Sequence, residues 1–311
     1  MRHFKVGSNA LDWWSAQSGS VREQLRRSGV AVLDTEGVCS NVDAFREFAN
    51  AVCGRLVEDN PEHERIEGHE ADGRVNRPTP FAKDRKLLWH NENTFARMWP
   101  RRIMFGCRVI GEGGATPTAD MSAVYERLDN AIQVRFARLG VTYIRRLGMD
   151  VGLDWRTVYR TDDRSEVEAA CTAQGATWSW DNDGEVLITR ERRPAVVRNP
   201  ESGRMAVVAQ VLHWHPRALD PDIQEAMSTL YEPGAFPKTC RFGDDSEIPD
   251  FVVDQLRRAC AAVEETVEWQ PNRVMVLDNL RRSHARNPYD GPRELMVAIG
   301  DTTDSGVLWG A

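Results

Sequence analysis

Residues 274–299 read VMVLDNLRRSHARNPYDGPRELMVAI, and this stretch indicates two strands joined through a polar connection. An apolar run ends at Asp278, and a second apolar run starts at Leu295, after a segment that contains Pro288 and Gly291. Short β-branched runs bounded by Gly, Pro, Asn and Asp are typical of strands and turns. The stretch therefore predicts two β-strands near the C-terminus.

Similar strand-like runs recur along the chain and alternate irregularly with helical patterns. Strands are predicted at 30–34, 103–110, 186–189, 205–211, 273–278 and 295–301. Apolar residues at helical spacing predict helices over 10–27 and 42–56, around 223–230 and around 252–263. Because strands and helices do not alternate regularly, a doubly wound parallel sheet is disfavoured. We expect a mainly β protein, a double-stranded β-helix (jelly roll) with flanking helices, formed by residues 1–311 as a single domain.

Composition and charge exclude several classes of protein. Of 311 residues, 41% are hydrophobic and 28% are charged, which excludes a disordered or collagen-like chain. The net charge of −7 and the lack of a basic tract argue against a nucleic-acid partner, although 4 of the 40 basic residues are lysine and the rest arginine. We expect no membrane segment, no secretory signal and a cytoplasmic location, with the six scattered cysteines as buried thiols.

The most informative short segment is LWHNENTF, residues 88–95, in which His90 and Glu92 are two positions apart. On a strand, residues i and i+2 project from the same face, so this imidazole and this carboxylate would converge. A third imidazole would complete the 2-His-1-carboxylate set that binds Fe(II) and leaves positions open for other ligands. An isolated pair of this kind is more often a chance pair at the surface, so the prediction needs a second segment.

The C-terminal stretch supplies that second segment. His284 follows the first apolar run, and Arg293 directly precedes the second. The guanidinium group of arginine is planar and can bind a carboxylate with two parallel hydrogen bonds. We interpret His284 as the third metal ligand and Arg293 as a carboxylate-binding residue; on its own, Arg293 would be interpreted as one partner of a salt bridge at a strand edge.

Taken together, these segments resemble the taurine dioxygenase (TauD/TfdA-like) superfamily of Fe(II)- and 2-oxoglutarate-dependent oxygenases. Within it, the sequence is most similar to the subgroup that hydroxylates amino acids in peptide-antibiotic pathways, which includes enzymes similar to clavaminate synthase. The resemblance extends over most of the chain, in the family's order. The matching stretches are WHNENTF (89–95), GEGGATPTAD (111–120), LHWHPRALDP (212–221) and LDNLRRSHARNPYDGPRE (277–294).

The resemblance implies a role for each matching residue. His90, Glu92 and His284 would hold Fe(II), Arg293 would bind the distal carboxylate of the co-substrate 2-oxoglutarate, and Thr116 would hydrogen-bond the same carboxylate. The acidic ligand is Glu, as in the amino-acid-hydroxylating subgroup, and is not the Gly or Ala of halogenating relatives. The resemblance implies no catalytic acid or base beyond the metal ligands.

The activity implied is hydroxylation of an unactivated C–H bond of an amino acid or an amino-acid-derived small molecule, with release of succinate and CO₂, in specialised metabolism. The substrate would be free or tethered to a carrier protein. Desaturation, ring formation and sulfonate oxidation use the same iron chemistry and remain open. A second class of function is a metal-binding β-sandwich without oxygenase activity, although such a protein would have no need of Thr116 and Arg293.

Weaker predictions concern the substrate. Residues 58–86 are polar and proline-containing, which predicts a long loop that is a candidate lid, and Asn76 within it is a candidate substrate contact. Arg281 and Arg282 precede His284; solvent exposure is the simpler expectation for both, and contact with an anionic group of the substrate is the alternative, with Arg281 the candidate.

Four other histidines need an interpretation. His213 and His215 also have i, i+2 spacing, so a cupin-like site that combines them with His90 or Glu92 is an alternative metal centre. For this pair we favour the interpretation that the two histidines line the mouth of the pocket or serve in packing. His63, like His69, lies in the polar segment and is expected to be exposed.

Overall fold

The structure is a computed structural model that describes residues 1–58, 63–69, 72–232 and 234–309. Within these ranges, no helix combines the length and the apolar composition that crossing a bilayer requires. All six cysteines are buried free thiols, as expected.

Helices near the N-terminus and helices in the later part of the chain flank the sheets. The α-helices are α1 (Ala10–Ser28), α2 (Val42–Cys53), α3 (Met121–Glu126), α4 (Asn130–Leu139), α5 (Trp155–Tyr159), α6 (Arg164–Ala173), α7 (Val211–Trp214), α8 (Pro221–Leu230) and α9 (Asp250–Ala262). Short 3₁₀ helices occupy Asn182–Gly184, Pro216–Ala218 and Ser305–Leu308.

The strands form two facing sheets and two smaller additions. They are β1 (His3–Lys5), β2 (Val30–Asp34), β3 (Glu64–Arg65), β4 (Asn76–Arg77), β5 (Leu87–His90), β6 (Met98–Gly113), β7 (Thr116–Asp120), β8 (Val141–Leu147), β9 (Thr177–Asp181), β10 (Val186–Arg193), β11 (Val196–Arg198), β12 (Met205–Val207), β13 (Lys238–Phe242), β14 (Glu264–Val267), β15 (Arg273–Asp278), β16 (Arg282–Arg286) and β17 (Tyr289–Asp304).

The large sheet has the order β1-β2-β15-β6-β17-β4-β3, and the sheet facing it has the order β14-β7-β16-β5. Both sheets are antiparallel except where β1 pairs with β2. A third sheet, β13-β8-β10-β9, and the hairpin β11-β12 extend the small-sheet side. This architecture confirms the prediction of a mainly β jelly roll with flanking helices.

Strand β15 shows how the sequence determines the layers. Val274 and Val276 pack with α1 and α2 on the outer face of the large sheet, whereas Met275 and Leu277 pack on the inner face, against Val267 of the small sheet. Successive side chains of a strand point to opposite faces, and both faces of β15 are covered, so the strand is a continuous apolar run. The small sheet is thereby fixed against the large one.

Several predicted bounds differ from those in the structure, and two of the differences have local reasons. The helix predicted over 42–56 ends at Cys53, because Gly54 takes a non-helical conformation with φ of 68°. The strand predicted over 205–211 ends at Val207, and α7 begins at Val211. Between them the backbone amide of Gln210 donates to the Tyr143 hydroxyl, which ends the ladder and starts a helical turn.

Candidate metal centre

Neighbouring strands of the small sheet bring the two predicted histidine ligands together. His284 on β16 lies directly opposite His90 at the end of β5 in the antiparallel register. One ligand atom from each of His90, Glu92 and His284 lies within 4.8 Å of the others, and all three side chains are nearly excluded from solvent. Stretches far apart in the sequence therefore converge in a compact group of two imidazoles and one carboxylate.

Glu92 reaches this group from a turn rather than from a strand, contrary to the expectation that it shares a strand face with His90. Strand β5 ends at His90, and Glu92 lies in the turn that follows, next to Asn93 with φ of 54°. The turn is held by Asn279, whose Oδ1 accepts from the Glu92 amide at 2.7 Å and whose Nδ2 donates to the Glu92 carbonyl at 2.9 Å. The spacing was informative although its structural explanation was wrong.

The carboxylate of Glu92 lies between three imidazoles. Its Oε2 is 3.6 Å from His284 Nε2 and 4.0 Å from His90 Nε2. Its Oε1 is 3.4 Å from Nε2 of His63, whose side chain is 2% exposed. The expectation that His63 faces solvent is therefore wrong. No local pattern in its polar segment signals this contact, which arises only when the segment packs over the small sheet.

Burial and contact set the charge states of these groups. Burial lowers the pKa of His90 and, more strongly, that of His284, so both imidazoles are neutral. Burial by itself raises the pKa of Glu92, but the charge and hydrogen-bonding interactions with His63, followed by those with His90 and His284, hold that pKa well below its usual range. Neutral imidazoles and an ionised carboxylate are the forms that bind a metal ion.

Each imidazole can offer a nitrogen lone pair to a metal ion. His90 Nδ1 lies 3.0 Å from the carbonyl of Leu88. A carbonyl can only accept, so Nδ1 carries the proton and Nε2, directed at Glu92, has the lone pair. His284 Nε2 also faces Glu92, and its buried Nδ1 has no hydrogen-bond partner among the residues that the structure describes. This donor set fits Fe(II), which binds two imidazoles and a carboxylate on one face.

The alternative site built on His213 and His215 does not form. His213 lies on α7, so the strand argument for i, i+2 pairs does not apply to it. Its ring stacks on His90 at 4.0 Å, and its Nε2 contacts the Leu88 carbonyl at 3.0 Å. Both ring nitrogens of His215 are engaged elsewhere, one with the carbonyl of Ile248 and one with the backbone amide of Arg217. His213 therefore supports His90 by stacking.

A cavity of about 410 Å³ opens on one side of the group; we call it the cationic cavity after the guanidinium groups of Arg286 and Arg293, although Glu64 and Glu294 also line it. Thr116, Arg286 and Arg293 line it together with Glu92 and His284. Among the described residues Arg293 forms no ion pair, and its Nε donates to the carbonyl of Gly114 at 3.3 Å. Burial, with repulsion from Arg286, lowers the pKa of Arg293 to about 10. The Arg293 side chain is half-buried, so leaving its guanidinium without a carboxylate is unfavourable, and an anionic ligand in this cavity would offset that penalty.

Thr116 lies in the same cavity but already has one partner. Its hydroxyl oxygen accepts a hydrogen bond from the indole Nε1 of Trp269 at 2.9 Å. The hydroxyl proton therefore remains available to an anion in the cavity. Arg286 donates to the carbonyls of Phe81, Ala82 and Arg85, so it ties the segment before β5 to β16.

A second cavity, of about 460 Å³, opens on the other side of His90 and Glu92. We call it the apolar cavity; the lining side chains that give it this character are Phe81, Leu87, Leu88, Phe95, Leu212, Trp214, Leu219 and Ile223. Asn93 also lines it, and within the described part of the chain its buried Oδ1 has no hydrogen-bond partner. Residues that line both cavities form a shared wall: Thr79, Pro80, Phe81, Leu87, His90 and Glu92.

The two candidate substrate contacts, Arg281 and Asn76, line neither cavity, and this corrects both predictions. Arg281 is buried, pairs with Asp120 at 2.8 Å and donates to the carbonyl of Arg26 near the end of α1. Arg282 is likewise buried and pairs with Glu265, so neither arginine is solvated. The Nδ2 of Asn76 donates to the carbonyl of Gly73 inside the large sheet.

The candidate lid is only partly described, since residues 59–62 and 70–71 lie outside the described ranges. The described part is more ordered than a simple loop. Strands β3 and β4 pair with each other, and Asn76 of β4 lies opposite Val297 of the large sheet. The part that follows, from Thr79 onwards, contributes to the shared wall of the two cavities. That it opens and closes remains a prediction.

Comparisons with known proteins agree with this geometry. The family described as "Taurine catabolism dioxygenase TauD, TfdA family" matches residues 5–299. The chain is 30% identical over 224 residues to the dapdiamide synthesis protein DdaC of Enterobacter agglomerans, covering 72% of this chain and 68% of DdaC. It is 28% identical over 245 residues to a clavaminate synthase-like protein of Arabidopsis thaliana, covering 73% of this chain and 68% of that protein. A taurine dioxygenase structure from Burkholderia xenovorans has a TM-score of 0.52 at 16% identity, covering 92% of this chain and 81% of that one.

Proposed function

This chain belongs to the TauD/TfdA family of dioxygenases, which use Fe(II) and 2-oxoglutarate, and we propose that it hydroxylates an unactivated C–H bond of an amino acid or of a small molecule derived from one. One observation carries the proposal. The group of His90, Glu92 and His284 lies where a cationic cavity and the apolar cavity meet. A small anion and an organic substrate can therefore approach the same metal ion from different sides.

In this proposal His90, Glu92 and His284 hold Fe(II), and the cationic cavity binds 2-oxoglutarate. Arg293 pairs with the distal carboxylate through two hydrogen bonds, and Thr116 donates its hydroxyl proton to the same group. Fe(II) held there would activate O₂, which is the oxidant; 2-oxoglutarate and the substrate would each give up two electrons, and the balanced products would be succinate, CO₂ and the hydroxylated substrate. The protein supplies orientation, because the C–H bond held nearest the metal determines the product.

No protein acid or base is needed for this reaction, and the site offers none that is free. Burial lowers the pKa of His213, and its Nε2 proton is directed at the Leu88 carbonyl. His213 therefore positions His90 and closes the wall of the apolar cavity. The apolar side chains around it exclude water from the reacting bond, which limits unproductive consumption of the co-substrate.

Support for an amino-acid-like substrate comes from the relatives and from Asn93. The name of DdaC places that protein in dapdiamide synthesis, and the other relative is described as clavaminate synthase-like. Asn93 lines the apolar cavity, and its Oδ1, which accepts no hydrogen bond from the described residues, would be an acceptor suited to an ammonium or amide N–H group if the side chain turned towards a ligand. We place the substrate in specialised metabolism in the cytoplasm, either free or tethered to a carrier protein.

Desaturation, ring formation and sulfonate oxidation are the competing outcomes of the same chemistry. Glu92 supplies the carboxylate ligand that the Gly or Ala of halogenating relatives cannot supply, and this favours hydroxylation over halogenation. A metal-binding protein without oxygenase activity is disfavoured by Arg293, because a half-buried guanidinium that forms no ion pair with the described residues has no purpose in a site that holds only a metal.

The test is an anaerobic titration of the metal-free protein with Fe(II) and 2-oxoglutarate, followed by visible absorption. We expect a metal-to-ligand charge-transfer band that saturates at one equivalent of each, and that is lost in Glu92→Ala. Amino acids and, separately, sulfonates are then screened for a shift of the band and for succinate formation in air. Mass spectrometry distinguishes a gain of one oxygen from a loss of two hydrogens. Absence of the band in the wild-type protein would refute the proposed function.

A further inference from the structure

The two oxygens of the Glu92 carboxylate have different neighbours. Oε2 faces the two imidazoles of the metal group, at 3.6 Å from His284 Nε2 and 4.0 Å from His90 Nε2. Oε1 is the oxygen nearest to His63, whose Nε2 lies 3.4 Å from it. His63 belongs to the segment that packs over the site, and its side chain is almost fully buried. The carboxylate is thereby divided between two sets of partners.

The different partners of the two carboxylate oxygens matter because a six-coordinate metal ion has only six coordination positions to share among protein, co-substrate and O₂. Two imidazoles and one carboxylate oxygen occupy three positions, and a bidentate co-substrate occupies two more, which leaves one position. A carboxylate that binds through both oxygens would fill the last position. A partner that occupies Oε1 therefore keeps the site open.

We infer that His63 is a positioning residue that donates a hydrogen bond from Nε2 to Oε1 of Glu92 and so restricts the carboxylate to binding the metal through Oε2 alone. This inference rests on the proposed function, since it requires a metal ion at the group. Outer hydrogen-bond partners of this kind orient the ligands that they contact, and their loss typically lowers metal affinity about 10- to 100-fold.

The geometry argues against His63 as a further ligand. The compact group of potential ligand atoms contains His90, Glu92 and His284, and His63 does not belong to it. His63 also approaches a different carboxylate oxygen from the one that lies nearest to the other two imidazoles. A hydrogen-bond donor can be replaced by an amide of similar reach, whereas an imidazole ligand cannot, and this difference provides the test.

The experiment compares four variants, His63→Gln, His63→Asn, His63→Leu and His69→Leu, by titration of the metal-free protein with Co(II) against a chelating dye. The visible ligand-field bands of Co(II) report coordination number in the same titration. We expect His63→Leu to bind Co(II) about 10- to 100-fold more weakly, with an altered spectrum. His63→Gln retains an amide donor of similar reach and should stay within about threefold of wild type. His63→Asn is one carbon shorter and should resemble His63→Leu.

His69→Leu is the matched control, because His69 lies in the same segment and is not part of the metal group found among the described residues. It should leave both affinity and spectrum unchanged.

If His63→Leu does not fold, the comparison of His63→Gln with His63→Asn still decides the question. Wild-type affinity and spectrum in both His63→Asn and His63→Leu would overturn the inference. Equal weakening by His63→Gln and His63→Leu, with magnetic resonance counting one imidazole fewer on the metal, would make His63 a ligand and also overturn it. A wild-type protein that binds no Co(II) would instead remove the proposed function.

Discussion

Asn279 holds the backbone of Glu92 with both ends of its side-chain amide. The oxygen accepts from the Glu92 amide and the nitrogen donates to the Glu92 carbonyl, although the two residues are 187 positions apart. The same nitrogen also donates to the carbonyl of Pro100, on β6 of the large sheet. The position of the metal-binding carboxylate therefore depends on a residue that directly follows β15.

Replacing Asn279 with Leu should weaken both stability and metal binding. The change leaves the buried backbone groups of Glu92 and Pro100 without partners, so the free energy of unfolding should fall by about 2–3 kcal/mol. Urea unfolding and a Co(II) titration of the folded fraction measure the two effects. Asn199→Leu is the control. Asn199 is also buried and hydrogen-bonded, but its side chain contacts Asp278 and the backbone amide of Glu201. Equal metal affinity in both variants would contradict the assigned role of Asn279.

Replacing Arg293 with Ala should weaken binding of 2-oxoglutarate by about 2–5 kcal/mol, because it removes one partner of a desolvated charge pair. Arg293→Lys should recover only part of the loss, since an ammonium group cannot form two parallel bonds. Calorimetric titration of the Mn(II)-loaded protein measures both. Arg108→Ala, which removes an exposed partner of Glu294, is the matched control. An unchanged affinity in Arg293→Ala would remove Arg293 from the co-substrate site.

Gly114→Ala should also weaken 2-oxoglutarate binding, through a contact with Arg293. Gly114 has φ of 68°, and an added Cβ would lie 3.0 Å from both Cδ and Nε of Arg293. The control is Gly37→Ala, at φ of 93° with no heavy atom within 4 Å of the added Cβ. Both variants should lose about 1 kcal/mol or more of stability from the positive φ. We expect at least a tenfold loss of co-substrate affinity in Gly114→Ala alone; equal affinities would show that the guanidinium moves aside freely.

The stability of the metal-free protein should fall as the pH is lowered from about 7 to 5, in part because of His213. Burial, followed by repulsion from His90, holds the pKa of His213 well below its ordinary value. The unfolded chain therefore binds a proton in this range that the folded chain does not, so protonation favours unfolding. His213→Gln should reduce the slope of the unfolding free energy by at most about 1.4 kcal/mol per pH unit. His69→Gln is the control, and identical slopes in wild type and His213→Gln would contradict the prediction.

The central strands could be predicted from the sequence because their apolar pattern is local. Both Val30–Asp34 and Arg273–Asp278 have the bounds that their β-branched runs predict. The convergence of His90, Glu92 and His284 was predicted through spacing and family resemblance, although Glu92 reaches its place through a turn.

The sequence did not reveal side-chain contacts between residues that are far apart along the chain. Arg281 is neutralised by Asp120, 161 positions away, so a local reading could not distinguish a buried ion pair from a substrate contact. His63 lies in a segment without periodicity, and only tertiary packing brings it to Glu92. In both cases burial of a charged or polar side chain was decided by a long-range contact.

The apolar cavity has a practical consequence. Lys86 and Lys238, two of only four lysines in the chain, line it. An amine-selective acylating reagent therefore finds half of its lysine targets at this one place. Peptide mapping of the labelled chain, with and without an added compound, would report occupancy of the cavity without iron, oxygen or turnover.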